Sequence, residues 1–290
     1  MSKKVLIATE KPFAPAAVNG IREIVEQAGY QLVLLEKYQD KSELISAVAD
    51  VDALIIRSDK VTAEVLENAA NLKIVVRAGA GYDNVDLAAA SAKGVVVMNT
   101  PGQNSNAVAE LVFGLMLQLA RRHYTGQAGT ELKGKTIGLH AYGNVGRHVA
   151  RIARGFEMTT VAFDPFIPKE AMTMDGVKPV DTMEAMYEQA DFVSLHIPAN
   201  DQTRNSINFD LMSRMKTGSM VINTARKEVM DEDGLKRMLS ERTDFRYASD
   251  IAPDCKDELL GEFGDRVFFT QKKMGAQTFE ANVNAGLAAA

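Results

Sequence analysis

The 290-residue sequence predicts an α/β protein built from two doubly wound parallel sheets. Short, mostly β-branched apolar runs alternate with amphipathic helical stretches along almost the whole chain. Strands that are apolar on both faces are typical of a parallel sheet covered by helices on both sides. The alternation breaks at Thr100, Pro101 and Gly102 and then starts again, which predicts two domains. The length agrees, because a domain commonly contains about 100–200 residues.

The first series predicts five strands and four helices. The strands are predicted over residues 5–8, 32–35, 53–56, 74–76 and 95–98, and the helices over 18–27, 42–48, 63–70 and 87–92. A long apolar helix follows, from about Ser105 to Arg122. We assign residues 1–99 to a substrate-binding domain, to which the C-terminal tail, residues 282–290, is a candidate addition.

The second series continues the same pattern. Its strands are predicted over residues 136–140, 160–163, 192–196, 219–223, 246–249 and 267–270, and its helices over 145–156, 182–188, 209–215 and 232–240. Strands separated by helices again indicate a parallel sheet. Residues 100–281 therefore form the predicted second domain.

Composition and charge exclude several classes of partner. Lys and Arg total 33 against 38 Asp and Glu, so the formal net charge is −5 and the basic surface of a nucleic-acid-binding protein is not expected. The single cysteine, Cys255, excludes an intrachain disulfide and a cysteine-based zinc site, and we predict no metal site. No apolar run approaches the roughly 18 residues that cross a membrane, and the N-terminal residues lack the pattern of a signal peptide. We expect a cytoplasmic protein that binds neither membranes nor nucleic acid.

A nucleotide-binding signature follows the strand at residues 136–140. The turn into the next helix reads Ala141, Tyr142, Gly143, Asn144, Val145 and Gly146, which resembles the G-x-G-x-x-G fingerprint. Gly143 would let the backbone approach a pyrophosphate, and Gly146 would allow the helix to pack closely on the sheet. The first glycine is replaced by Ala141, which penalises a positive φ and could shift the loop.

Asp164 closes the next strand, 18 residues after Gly146. A carboxylate at this position accepts hydrogen bonds from the ribose hydroxyls of NAD and repels the 2′-phosphate of NADP. A strand, a glycine loop, a helix, a strand and an acidic residue in this order predict NAD as the cofactor. The alternative for Asp164 is a turn residue before Pro165.

Longer strings of residues resemble a known family. They are Arg57-Ser58, RAGAGYDNVDL at 77–87, MNTPGQNSNAVAELVFGLMLQLAR at 98–121, GTELKGKTIGL at 129–139, FDP at 163–165, DFVSLHIP at 191–198, MKTG at 215–218 and VINTAR at 221–226. With these strings the chain resembles the D-2-hydroxyacid dehydrogenases over nearly its whole length. The resemblance implies a flavodoxin-like substrate domain and a Rossmann-like NAD-binding domain. It also implies hydride transfer between NAD and C2 of a D-2-hydroxy acid, and a homodimer.

The resemblance assigns roles to particular residues. Arg226 matches the catalytic arginine, which holds the substrate carboxylate and polarises the 2-oxygen. Asn104 matches an asparagine that supports the substrate loop, and glycine-rich loops of this kind bind anions through their amides. The loop itself consists of Ala78, Gly79, Ala80 and Gly81. The implied cofactor-binding residues are Tyr142, Gly143, Asn144, Val145, Gly146, Asp164, His196, Pro198, Thr203, Thr224, Ala225 and Asp250.

Two arginines indicate the substrate class. Arg57 and Arg77 follow consecutive parallel strands, and they match phosphate-binding positions of family members that oxidise D-3-phosphoglycerate to 3-phosphohydroxypyruvate in serine biosynthesis. We therefore expect a phosphorylated 2-hydroxy acid as substrate. A glyoxylate or hydroxypyruvate reductase is the alternative within the family. A catalytically weak, NAD-sensing binding protein is the alternative from another class.

The family's acid/base segment is altered in this chain. Alignment on Gly275 puts Lys273 at the position of the catalytic histidine, and the glutamate that orients this histidine falls at Cys255. The glycine after the catalytic arginine is Lys227, and Asp254 is our candidate for the replacement carboxylate. A lysine base needs its pKa lowered from about 10.4 towards roughly 7–8 to act near neutral pH. Lys273 is the predicted acid/base, with a merely exposed lysine as the alternative.

Overall fold

The computed structural model describes residues 2–290, which form two compact units. Unit 1 comprises the chain up to Asn104 together with Gln277–Ala290, and unit 2 comprises Ser105–Ala276. The predicted boundaries lie after residue 99 and before residue 282, so the chain leaves unit 1 later and returns to it earlier than expected. Asn104 and residues 277–281 consequently belong to unit 1.

Unit 1 contains one five-stranded parallel sheet with the strand order β2-β1-β3-β4-β5. The strands are β1 (Lys4–Thr9), β2 (Gln31–Glu36), β3 (Ala53–Ile56), β4 (Ile74–Arg77) and β5 (Val96–Asn99). The helices between them are α1 (Pro15–Gln27), α2 (Lys41–Val48), α3 (Ala63–Asn68) and α4 (Leu87–Ala92). Because Ile56 pairs with Arg77, the strands β3 and β4 end at the same edge of the sheet.

Both faces of this sheet are buried, which explains its continuous apolar strands. In β1, Leu6 packs into one cluster of buried side chains, and Ile7 packs into the cluster on the opposite face. The second cluster also contains residues of α1 and of the C-terminal helix of the unit. Helix α1 and this C-terminal helix pack closely against each other. A Cβ on Gly20 would overlap the side chain of Leu287, and a Cβ on Gly286 would meet Ala17 at 3.2 Å.

Unit 2 begins with the long helix α5 (Ser105–Ala120) and contains a seven-stranded parallel sheet of order β12-β11-β10-β9-β6-β7-β8. Its strands are β6 (Thr136–His140), β7 (Thr159–Phe163), β8 (Lys178–Pro179), β9 (Phe192–Leu195), β10 (Met220–Asn223), β11 (Arg246–Ser249) and β12 (Val267–Phe269). Its further helices are α6 (Asn144–Gly155), α7 (Lys169–Met174), α8 (Met183–Gln189), α9 (Phe209–Ser213), α10 (Glu232–Glu241) and α11 (Lys256–Phe263), and α12 (Phe279–Ala289) closes the chain in unit 1.

The strand order of unit 2 reverses between β6 and β9, which lie side by side. Ligands of open parallel sheets bind at the carboxyl ends of the strands at such a switch point. The residues that directly follow these carboxyl ends are Ala141 after β6, His196 after β9, Thr224 after β10 and Asp250 after β11. The two-sheet α/β fold predicted from the sequence is confirmed.

The helix α5 ends two residues before the predicted Arg122. Arg122, His123 and Tyr124 follow in a short turn with φ values of 48°, 55° and 58°, in the left-handed region that non-glycine residues rarely occupy. None of the helices in residues 2–290 combines the length and the hydrophobicity of a membrane-spanning segment. Nor do the described residues contain a cluster of three or more His, Cys, Asp or Glu side chains arranged to hold a metal ion.

Candidate active site

The glycine loop between β6 and α6 has the shape of a phosphate-binding turn. Ala141 has a φ of +81°, so the chain takes a glycine-like conformation at the position where the fingerprint has its first glycine. A Cβ on Gly146 would lie 2.6 Å from the carbonyl oxygen of Ala141, whereas a Cβ on Gly143 would meet nothing within 4 Å. Gly146 therefore permits tight backbone packing, and Gly143 leaves open space above the loop.

The helix α6 presents its first amides to this open space. Gly143 is its N-cap residue, and within the described chain no side chain caps the helix. Uncapped amides at the positive end of a twelve-residue helix are suited to binding the pyrophosphate of a dinucleotide. The residues of this loop therefore fit NAD.

Asp164 lies at the end of β7 and holds the loop from the other side. Its Oδ2 accepts the Tyr142 N–H at 2.8 Å, and its Oδ1 accepts the Phe166 N–H at 2.8 Å. The side chain is half-buried, and each carboxylate oxygen keeps a further lone pair for a ribose hydroxyl. Asp164 thus positions the glycine loop in addition to the predicted contact with the cofactor.

The segment after β9 forms the next part of the candidate pocket. Thr203 Oγ1 donates to the carbonyl of Pro198 at 2.5 Å and accepts the Asn200 N–H at 2.9 Å, so it stabilises this turn. His196 Nε2 is buried and has no hydrogen-bond partner in the described chain. Burial, together with the neighbouring His140, lowers the pKa of His196 to about 3, so the ring is neutral.

Asn223 shapes the turn that carries the predicted catalytic arginine. Its Oδ1 accepts the Ala225 N–H at 3.0 Å, and its Nδ2 donates to the Arg226 carbonyl at 2.9 Å. The Arg226 guanidinium in turn donates through Nη1 to the Ala225 carbonyl at 2.9 Å. Thr224 Oγ1 is buried without a hydrogen-bond partner among residues 2–290, which leaves it able to bond to a ligand.

Asp250 is buried at the end of β11 and holds the loop that carries Lys273. Its Oδ1 accepts the Met274 N–H at 2.5 Å, and its Oδ2 accepts the Gly275 N–H at 2.8 Å. Thr270 Oγ1 donates to the Asp250 carbonyl at 2.6 Å, which attaches the start of the same loop to the end of β11. Lys273 lies exposed between these anchored residues.

The surroundings of Cys255 differ from the sequence-based expectation. Asp254 is largely exposed, and its Oδ1 accepts from Lys227 Nζ at 2.5 Å. The carboxylate beside Cys255 belongs to Glu232 at the start of α10, which accepts the N–H groups of Asp254 at 2.7 Å and Cys255 at 2.9 Å. Burial and Glu232 raise the pKa of the Cys255 thiol to about 12. Glu232 was not among the predicted site residues, because 23 residues of chain separate it from Cys255.

In unit 1, the loop after β4 brings the guanidinium of Arg77 close to backbone amides. Arg77 Nη1 lies 1.6 Å from the position of a Cβ on Gly79, whose φ is +141°, so the guanidinium occupies the space that any side chain there would need. The Ala78 amide donates to the Ile56 carbonyl at 2.8 Å, and the Gly79 amide donates to Thr100 Oγ1 at 2.7 Å. In the part of the chain that the structure describes, the amides left for an anion are those of Ala80 and Gly81.

Arg57 lies beside Arg77, because Arg77 Nε donates to the Arg57 carbonyl at 3.0 Å. The Arg57 guanidinium makes several protein contacts of its own. Its Nη1 donates to the Lys11 and Pro12 carbonyls, each at 3.0 Å, and its Nη2 donates to Asn282 Oδ1 of α12. Arg57 therefore joins three segments of unit 1 at the end of β3.

Unit 2 has the arrangement of a dinucleotide-dependent dehydrogenase. A glycine loop at the switch point of a parallel sheet, with an acidic residue ending the next strand, defines this class. Comparison with known proteins then gives the family.

Residues 113–258 match the NAD-binding domain of the D-isomer specific 2-hydroxyacid dehydrogenases. Hydroxypyruvate reductase from Thermotoga maritima is 38% identical over 277 residues, which cover 89% of this chain and 88% of that protein. D-3-Phosphoglycerate dehydrogenase from Rattus norvegicus is 40% identical over 281 residues, which cover 91% of this chain and 52% of that protein. Among solved structures, NAD⁺-bound 3-phosphoglycerate dehydrogenase from Entamoeba histolytica matches with a TM-score of 0.89 and 45% identity, covering 100% of this chain and 93% of that one.

The chain belongs to the D-isomer specific 2-hydroxyacid dehydrogenases, and its cofactor is NAD. Both conclusions confirm the resemblance described from the sequence. The chain spans about half the length of the rat D-3-phosphoglycerate dehydrogenase that it matches.

Proposed function

We propose that the protein oxidises D-3-phosphoglycerate to 3-phosphohydroxypyruvate with NAD, a step of serine biosynthesis. The observation that carries this proposal is the Arg77 guanidinium lying against the backbone at Gly79. A cation beside two available amides suits a small acid that carries two anionic groups. The similarity to the rat and Entamoeba histolytica 3-phosphoglycerate dehydrogenases supports the same substrate.

Unit 1 would bind the anionic groups of the substrate. The amides of Ala80 and Gly81 would receive its carboxylate, with Asn104 at the end of unit 1 supporting the loop. Arg77 would be the principal phosphate ligand, because its guanidinium lies against the loop at Gly79, whereas that of Arg57 donates to Lys11, Pro12 and Asn282. Arg57 would contribute mainly by holding the Arg77 side chain through its carbonyl oxygen.

Unit 2 would supply the cofactor site and the reacting groups. NAD, when bound, takes the hydride that leaves C2 of the substrate. Arg226 would polarise the C2 oxygen, so that the alcohol becomes a carbonyl without building up uncompensated negative charge. Lys273 Nζ would take the hydroxyl proton in oxidation and return it in reduction. Asp250 would act as a positioning residue, because its carboxylate fixes the amides that follow Lys273.

Two carboxylates are candidates for the group that supports Lys273 as the base. Asp254 is the predicted carboxylate, and it forms an ion pair with Lys227, the residue that follows Arg226. Glu232 is the alternative, because it contacts the Cys255 position directly. Asp254→Asn and Glu232→Gln separate them, since only the true partner should alter the pH profile of kcat.

Two other functions have specific support. A hydroxypyruvate reductase is favoured by the Thermotoga maritima relative, whose length this chain nearly spans. An NAD-sensing binding protein is favoured by the lysine and cysteine at the positions of the family's histidine and glutamate.

One substrate panel tests the proposal. NADH formation from D-3-phosphoglycerate and NADH consumption with 3-phosphohydroxypyruvate, glyoxylate and hydroxypyruvate should be measured with the purified protein. The proposal predicts the highest kcat/KM for 3-phosphohydroxypyruvate. Equal or higher values for unphosphorylated acids would support the reductase, and NADH binding without turnover of any compound would support the sensor.

We also propose that the protein is a cytoplasmic homodimer. The single free cysteine suits a reducing compartment, and the dimer follows from the family resemblance. Light scattering coupled to size-exclusion chromatography should give twice the mass of one chain, and the mass of a single chain would contradict the proposal.

A further inference from the structure

Arg246 is a buried cation at the edge of the unit 2 sheet opposite to the NAD loop. It is the first residue of β11, whereas the glycine loop follows the carboxyl end of β6 in the same parallel sheet. Only 8% of its surface is exposed, and its Nε has no hydrogen-bond partner among residues 2–290. An arginine stays charged at every physiological pH, so a buried guanidinium needs a compensating group.

Three carboxylates around Arg246, those of Asp191, Asp244 and Asp265, have hydrogen-bond or ion-pair partners other than Arg246. Asp191 Oδ2 accepts the Thr136 N–H at 2.7 Å and lies 3.4 Å from Lys216 Nζ. Asp244 pairs with Arg242 at 2.6 Å and also accepts the Gly218 N–H. Asp265 lies 3.9 Å from Arg266 Nε. Across the described chain, no ion pair joins any of these carboxylates to Arg246.

Arg246 lines a small pocket of about 180 Å³ at this edge of the sheet. The other lining residues are Thr130, Lys135, Asp191, Phe192, Thr217 and Gly218. Two cations and two hydroxyl groups therefore surround the space, against one carboxylate that is already hydrogen-bonded. Burial lowers the pKa of Arg246, and the positive charges of Arg122 and Arg266 add to this shift, whereas Asp265 and Asp244 oppose it.

We propose that this pocket binds a small oxyanion of the phosphate type, held by Arg246 and Lys135 and oriented by the hydroxyl groups of Thr130 and Thr217. Arginine and lysine donors are the groups that bind phosphate oxygens most strongly. The volume accommodates one such ion with a few waters, since one water takes about 30 Å³ in the liquid. The site is distinct from the NAD loop and from the proposed substrate loop, because it lies at the amino-terminal edge of the unit 2 sheet.

The test is a titration of the full chain, saturated with NADH, with inorganic phosphate at constant ionic strength, followed by ³¹P NMR line width. NADH keeps phosphate out of the cofactor loop during the titration. Lys135→Met should weaken phosphate binding by about tenfold or more, the cost of losing one charge-assisted hydrogen bond. Arg246→Gln should weaken it at least as much. Every chain in this comparison also carries Arg77→Met, because the proposed substrate loop would otherwise bind phosphate in the same titration.

Lys133→Met is the matched control. Lys133 lies on the same segment and carries the same charge, but it is exposed and pairs with Glu157 at 2.9 Å. Equal phosphate binding by the Lys133 and Lys135 variants would overturn the proposal. It would also be overturned if Arg246→Gln left phosphate binding unchanged but lowered the oligomeric mass, which would mean that a second copy of the chain covers Arg246. Because Lys135 is only half-buried, its variant keeps the test decisive even where Arg246→Gln fails to fold.

Discussion

Gly143 and Gly146 lie in one turn of backbone but have opposite surroundings. Gly143→Ala places a methyl group in open space, so we expect an unchanged melting temperature but at least tenfold weaker NADH binding, because the methyl occupies the approach of the pyrophosphate. Gly146→Ala drives a Cβ to 2.6 Å from the Ala141 carbonyl oxygen and should lower the unfolding free energy by about 1–3 kcal/mol. Thermal unfolding and fluorescence titration with NADH measure both. Unchanged NADH affinity in Gly143→Ala would contradict the assignment of the loop.

Asp164 should determine the choice between NAD and NADP. Asp164→Asn removes the charge that repels a 2′-phosphate, so the ratio of kcat/KM for NAD to that for NADP should fall by at least tenfold. Loss of the hydrogen bond to Tyr142 or Phe166 lowers activity with both cofactors and cancels in the ratio. An unchanged ratio would assign Asp164 to loop structure alone.

At the residue scale, the sequence predicts which side chains carry chemistry but not which side chains hold them. The glycine loop and Asp164 are local patterns, and in the structure the loop follows β6 at the switch point and Asp164 follows the neighbouring strand β7. The contacts of Asp250 with the amide of Gly275 span 25 residues, and those of Glu232 with Cys255 span 23. Such contacts depend on which strands become neighbours, so no local pattern could have indicated them.

The side chain of Arg57 contacts helix α12, and this separates the expected role of Arg57 from that of Arg77. Arg57→Met should lower the unfolding free energy by about 2–3 kcal/mol, because it removes charge-assisted hydrogen bonds to Lys11, Pro12 and Asn282. Arg77→Met should instead raise the KM for the phosphorylated substrate by about 10- to 150-fold.

Asn282→Ala is the control for this pair of variants. It removes one of the Arg57 contacts from the helix side, so it should lower stability with little change in KM. Chemical denaturation and steady-state kinetics give both quantities. If Arg57→Met raised KM as much as Arg77→Met without loss of stability, Arg57 would be a phosphate ligand first.

A histidine that is neutral at physiological pH ends β6 and another directly follows β9. Burial lowers the pKa of His140 to about 4, with Asp164 opposing the shift, and lowers that of His196 to about 3. The unfolded chain titrates near 6.5, so below this pH it binds more protons than the folded chain. Stability is therefore fully present above pH 6.5 and is lost as the pH falls towards 4.

His140→Gln should remove part of this pH dependence. We expect the loss of unfolding free energy between pH 6.5 and pH 4 to shrink by up to about 3 kcal/mol. His148→Gln, on the more exposed surface of α6, should change it much less. Urea unfolding at several pH values measures the slope, and equal slopes in wild type and His140→Gln would contradict a neutral, buried His140.

Some elements could be predicted from the sequence and others could not. The strands of both sheets are continuous apolar runs because both of their faces are buried. The two-residue strand β8 has no apolar run and exists only through pairing of Lys178 and Pro179 with β7. The helices α7 and α11 are likewise absent from the helices predicted from the sequence.

At the scale of the whole molecule, the two units divide the proposed reaction between them. Unit 1 contains Arg77 and the loop after β4, and unit 2 contains the NAD-binding loop and the proposed catalytic residues Arg226 and Lys273. The family follows from the order of sequence strings and from both sheets, so it could be recognised from the sequence. The identity of the base stays a prediction, because Lys273 stands where the family pattern breaks.

The most direct test of the central claim is the kcat for reduction of 3-phosphohydroxypyruvate by NADH in Lys273→Met, with Lys272→Met as its neighbouring control. General acid catalysis contributes about 10²- to 10⁴-fold, so Lys273→Met should lose at least about 100-fold in kcat while its NADH dissociation constant stays within about twofold. Lys272→Met should retain most of the activity. Near-wild-type turnover by Lys273→Met, or loss of activity in Lys272→Met alone, would contradict the assignment of Lys273 as the acid/base of a 3-phosphoglycerate dehydrogenase.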